Sequence, residues 1–161
     1  MISLSLMALT LMAAPMAQAQ EEILAPAAAP AEATTGPSWN VVSRSSATVF
    51  MLDVNAITQS DGVSRVMLAR VPSSGDASDQ THSLTEMFFR CSARQSKTGL
   101  EIYIGADGSE EERIENDYEF EPIVRDSLDD YVKGVVCDGQ RTAVTYNSIG
   151  AFIAAGRPQP R

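Results

Sequence analysis

One histidine, two cysteines and a run of carboxylates are the residues of this 161-residue chain whose types could do chemistry. His82 stands beside Ser83 and close to Asp79. In a nucleophile–base–acid site an imidazole takes the hydroxyl proton and a carboxylate orients the imidazole. Adjacency in sequence does not supply that geometry, and no G-x-S-x-G turn presents a serine. His82 falls in the polar stretch D-A-S-D-Q-T-H-S and reads as an exposed loop residue. Asp107, Glu110, Glu111, Glu112, Glu115, Asp117, Glu119 and Glu121 offer the oxygen ligands that hard cations prefer. Their spacing is not the D-x-[DN]-x-[DN]-G of a calcium loop, and they read as a solvated face that keeps a sheet edge unpaired. Paired carboxylates could hydrolyse a glycoside only across a groove. No catalytic residue, metal ligand or cofactor is assigned from these residues.

The cysteines allow one pairing, Cys91–Cys137. There is no C-x-x-C, and neither cysteine sits among the basic, exposed neighbours that lower a thiol pKa. A structural disulfide is the expectation, provided the chain reaches an oxidising compartment. The N-terminus points there. Residues 2–16 are apolar and nearly uncharged, too short to span a bilayer, which takes about 20 residues. They end in Ala17-Gln18-Ala19, the small-x-small pattern of a signal-peptidase site. Residues 1–19 are read as a signal peptide cleaved after Ala19, leaving no transmembrane segment. Residues 20–37, rich in Ala and Pro, form a linker, either a spacer or a tail without a role. The domain spans 38–156, and 157–161 is a tail.

What must position these residues is a sheet. Strands are expected at Ser38–Ser43, Thr48–Val54 and Val63–Val71, the last entered through Asp61-Gly62. A fourth alternates with period two: Met87, Phe89, Cys91 and Ala93 inward, Glu86, Phe88, Arg90, Ser92 and Arg94 outward. A turn at Gln95–Gly99 leads to a fifth strand with Leu100, Ile102 and Ile104 inward. That register would place Arg94 opposite Glu101. A sixth strand carries Tyr118 and Phe120 inward, its acidic residues outward, and Pro122 at an edge. The period then changes. Ser127 caps a helix, with Asp130 completing a capping box, and Leu128, Tyr131, Val132, Val135 and Val136 share a stripe. The helix should end or tighten before Cys137 so that the disulfide can form. A second short helix runs from Ser148 to Ala155 with Ile149, Phe152 and Ile153 as its stripe. The fold class is α+β: an antiparallel meander of about six strands with a C-terminal helix packed on one face.

With 21 acidic side chains against 12 basic ones and a net charge of −9, the chain lacks the clustered cations that phosphate-backbone binding requires. Nucleic acid is excluded as a partner. Trp39 is either a contact residue or part of the sheet's packing. Phe88 and Tyr103, flanked by Arg90, Arg94 and Glu101, point away from the expected core. They form either a recognition patch for a protein or surface ligand, or a face covered by a second copy in a homodimer.

The order of features resembles the surface-adhesin protein E family of Gram-negative bacteria. The matching residues are Trp39, Asp53 in F-M-L-D-V-N-A-I, Cys91 in F-F-R-C-S-A-R-Q, and Ser127 and Cys137 in E-P-I-V-R-D-S-L-D-D-Y-V-K-G-V-V-C. They cover residues 38–138. The resemblance implies a six-stranded antiparallel sheet, a C-terminal helix tied to it by a disulfide, and an envelope location. With catalytic side chains scarce, the expected function is an exported, non-enzymatic binding module in the periplasm or at the cell surface, for which the resemblance makes adhesion one option. A periplasmic hydrolase and a structural accessory subunit of an envelope complex are the alternatives.

Overall fold

Nine strands and two short α-helices build residues 36–159, the part of the chain described by the computed structural model. The strands are β1 (Trp39–Arg44), β2 (Thr48–Asp53), β3 (Thr58–Ser60), β4 (Val63–Pro72), β5 (His82–Arg90), β6 (Gln95–Ile104), β7 (Glu110–Ile114), β8 (Glu121–Pro122) and β9 (Thr145–Tyr146). The helices are α1 (Leu128–Val136) and α2 (Ile149–Ala154). The expected signal peptide, and the linker up to residue 35, lie outside the described residues. No helix among the described residues is long and apolar enough to cross a membrane.

All strands pair antiparallel in one sheet of order β7-β6-β5-β4-β2-β1-β9, with β3 on β4 and β8 on β6. The meander is as expected; the number of strands is larger, because β3, β8 and β9 are two- or three-residue pairings without a periodic signature. Both faces of the sheet are used. α1 packs Val132 and Val135 over Leu52, Val66, Leu68, Met87 and Phe89, with Ile123 beside them. α2 packs Ile149, Phe152 and Ile153 over Val49, Met51, Ala69 and Val71 on the opposite face. Alternating residues of β2 and β4 therefore feed two separate cores, which is why both strands read as almost continuously apolar. Burying each of these side chains other than that of Ala69 contributes about 1.5–3 kcal/mol. A six-residue helix such as α2 has no stability of its own and is held by that burial.

The helix ends follow the sequence closely. The Ser127 Oγ accepts from the Asp130 N–H at 3.3 Å, and the Ser148 Oγ from the Ala151 N–H at 2.9 Å. The capping box is not reciprocal: the Asp130 carboxylate accepts from the Asp126 N–H and from Arg94. α1 ends at Val136, so Cys137 lies just past it, and Cys91 and Cys137 are bonded with their Cα atoms 5.6 Å apart.

The expected hairpin is displaced. The chain turns at Cys91–Ala93, one turn of 3-10 helix closed by Arg94 in the left-handed conformation (φ 50°). Gln95–Gly99 is part of β6 rather than a turn, so Arg90 faces Gln95, and Glu101 faces Thr85 instead of Arg94. Cys91 and Ala93 are accordingly turn residues. Cys91 still packs against the α1 core, whereas Ala93 is exposed. β6 also carries one extra residue: Thr85 to Met87 on β5 oppose Glu101 to Thr98 on β6. That bulge sends Ile102, the partner of Leu84, to the α2 face rather than the Phe89 face. The expected sixth strand over residues 115–121 is replaced by β7, whose residues are all exposed, and by an irregular stretch in which Tyr118 is 58% exposed.

Candidate functional site

The structure takes the expected recognition patch apart. Phe88 faces Lys97 on the α2 side of the sheet, where Arg90 stacks on Phe120 at 3.9 Å and Lys97 lies 5.7 Å from the Phe88 ring. Beside them Arg65 is ion-paired with the buried Glu86. Glu101 and Tyr103 belong to the α1 side, paired with Thr85 and Ser83, and Glu101 lies 3.9 Å from Arg70. Arg94 is at the hairpin tip, held to Asp130 at 2.8 Å. The cause is the β6 bulge: one extra residue between Thr98 and Glu101 reverses the face of everything beyond it. Gly99 within a strand pattern is the sequence signal for such a bulge.

The other candidates fall in separate places. His82 is the first residue of β5 and is half-buried, not an exposed loop residue. Its Nδ1 meets the Gln80 carbonyl at 2.6 Å, which makes Nδ1–H the donor. Burial pushes its pKa below the ordinary value, and the bond to Gln80 opposes that shift. Among the described residues the acidic residues form no group with metal-ligand geometry. Asp107 instead closes its own turn by accepting from the Ser109 N–H and hydroxyl, and Glu110 pairs with Arg113 at 2.9 Å. Trp39 packs against the α2 core.

A concave site does exist, on the opposite edge of the sheet from β7. β9 pairs only with Trp39 and Asn40 of β1. The chain before β9 leaves the ladder because the buried Asn40 side chain captures it: its Oδ1 accepts from both the Thr142 N–H and the Thr142 hydroxyl at 3.1 Å. Among the described residues, Val41–Arg44 have no strand partner on their outer side. Beside them opens a cleft of about 560 Å³ lined by Val41, Thr142, Ala143, Val144, Tyr146 and Pro158. Val144 is 59% exposed. A smaller hollow of about 110 Å³ adjoins it, shares Val41 and Thr142, and is walled by Val42, Tyr131 and Arg141. The Arg141 Nη1 donates to the Val135 and Gln140 carbonyls, and no carboxylate among the described residues lies in salt-bridge range of it.

The far wall of the cleft is fixed. Arg44 donates to the Arg157 and Pro158 carbonyls at 2.9 and 3.0 Å. Arg157 is buried and donates to the carbonyls of Gly75, Asp76 and Asp79. Residues 157 and 158 are thus built into the fold. Sequence reading missed this site because it is defined by where β9 stops, a consequence of one contact between residues 102 positions apart. In comparisons with known proteins, no family model, curated protein or solved structure matches the chain.

Proposed function

We propose that the chain is an exported, non-enzymatic binding module of the Gram-negative envelope, in the periplasm or at the cell surface. In this reading it holds a protein ligand at the cleft beside β1. The observation that carries the reading is the apolar cleft, with exposed Val144 at its rim, next to a strand edge that has no partner among the described residues. Exposed apolar surface around a concavity is the usual mark of an interaction site. The Cys91–Cys137 disulfide supports export, because such bonds persist in oxidising compartments. The resemblance to surface-adhesin protein E supports the envelope and leaves adhesion as one form such binding could take. The placement of His82 supports a non-enzymatic reading, since its neighbour Ser83 faces the other side of the sheet and cannot serve it as a nucleophile.

The test is a photo-crosslinking residue placed at Val144, and separately at Glu111 on the acidic edge, in the full chain within its producing cells. Adducts with an envelope protein from position 144 and none from position 111 are expected. Adducts from position 111 alone, or from neither position, would refute the site.

A further inference from the structure

The free edge of β1 differs from the other edge of the sheet in a way that selects an occupant. Sheet edges are normally blunted by charge, because unpaired N–H and C=O groups invite another strand. β7 is blunted in this manner by Glu110, Glu111 and Glu112, all exposed. β1 reads W-N-V-V-S-R, and its one charged side chain, Arg44, is drawn onto the C-terminal carbonyls. Among the described residues its outer edge at Val41–Ser43 is therefore uncharged and has no strand partner, while the C-terminal carbonyls cover Arg44.

Two hollows flank this edge, one on each face of the sheet. The larger lies with Val41 and Tyr146, both packed against the α2 core. The smaller lies with Val42, which packs against the α1 core, and with Tyr131 of α1. β1 carries an irregularity here, with Val41 opposite Met51 and Ser43 opposite Phe50. Val41 and Val42 still lie with different cores, so a strand laid along these two residues would send alternate side chains into the two hollows. Their chemistry differs. The larger is apolar, while the smaller carries the Arg141 guanidinium, which no carboxylate among the described residues neutralises.

We infer that β1 binds an extended partner peptide by strand addition, with apolar side chains seated in the Val41–Val144–Tyr146 cleft and acidic ones beside Arg141. The inference rests on the proposal that this cleft is the binding site and adds the mode and the ligand chemistry. Backbone hydrogen bonds supply affinity in this mode, and the alternate side-chain hollows supply specificity. The acidic residue meets a local cation on a chain of net charge −9, so the selection is made at that one hollow.

The probe is a fluorescein-labelled peptide of three Leu-Glu repeats, titrated by anisotropy against the purified full chain. Two versions are N-methylated, one on the Leu amides and one on the Glu amides. Only alternate amides of an added strand face its neighbour. One methylated series should therefore lose binding by about tenfold or more, while the other stays within about twofold. Equal behaviour of the two series overturns strand addition. Replacing Glu by Lys in the peptide should weaken binding about tenfold, and Arg141→Gln should shrink that difference; an unchanged difference overturns the role of Arg141. Val144→Asp, at an exposed position, should weaken the parent peptide. If it does not, the cleft itself is wrong, an outcome separable from a wrong binding mode. No binding at millimolar peptide also overturns the inference. So does a chain that elutes as a dimer which Val144→Asp makes monomeric, since the occupant would then be a second copy. Peptide binding that appears only after removal of residues 20–35 would assign the edge to the chain's own N-terminal segment and overturn the partner.

Discussion

Glycine 99 and glycine 134 show how differently one missing side chain can act. A Cβ on Gly99 would sit 2.8 Å from the Phe88 ring and 2.9 Å from the Glu86 carboxylate, both packed against the sheet. A Cβ on Gly134 would meet only the end of the Gln140 side chain, an exposed residue that can swing away. Gly99→Ala is therefore expected to cost about 1–3 kcal/mol through overpacking. Gly134→Ala is expected to gain up to about 1 kcal/mol from helix propensity. Chemical denaturation of both variants checks the opposite signs; a stabilising Gly99→Ala would contradict the bulge as described. His82 gives a second expectation at this scale. Burial lowers its folded-state pKa below the ordinary 6.5, so the unfolded chain takes up this proton at a higher pH than the folded chain does. The stability contribution is complete above about pH 6.5 and is lost as pH falls toward the folded pKa. His82→Asn, which can still donate to the Gln80 carbonyl, should flatten the stability profile between about pH 7 and 5. Parallel profiles for variant and wild type would contradict it. Neither residue's environment was legible locally. Gly99 signalled a bulge by its type alone, whereas the depth of His82 depends on where β5 begins.

At the scale of elements, the helices were legible and the hairpin was not. α1 and α2 are announced by a serine cap and a helical stripe, both written within a dozen residues. The β5–β6 turn carries no such mark, because Arg94 takes a left-handed conformation that glycine or asparagine would normally occupy. A five-residue error in that turn, followed by the bulge, was enough to merge two faces of the sheet into one expected patch. The disulfide survived the error, since Cys91 packs on the α1 face either from a strand or from the turn after it. Replacing both cysteines by serine removes a cross-link between residues 46 apart, worth up to about 4 kcal/mol on the chain-entropy model. A clear drop in Tm, with peptide binding by the folded fraction unchanged, is expected. An unchanged Tm would contradict a stabilising role. Phe152→Ala should cost about 3–5 kcal/mol, because α2 is held mainly by burial and Phe152 is its fully buried centre. Thermal unfolding measures it, and a loss below about 1 kcal/mol would mean that α2 is not a structural layer.

At the scale of the molecule, residues 36–159 form a sheet with two unlike edges and two half-covered faces. α1 and α2 cover different parts of opposite faces, and charged residues such as Arg65, Glu86, Arg70 and Glu101 occupy what they leave open. The acidic β7 edge was legible as a charge run. The β1 edge was legible only as a strand, because its openness arises from Asn40 holding Thr142 out of the ladder. Amide shift mapping of the 15N-labelled full chain during titration with the Leu-Glu repeat peptide reads out directly whether the peptide lies along β1. Shifts concentrated at Val41–Arg44 and at residues 142–146 are expected. Shifts concentrated instead around Phe88, Lys97 and Tyr118, with β1 unmoved, would contradict it.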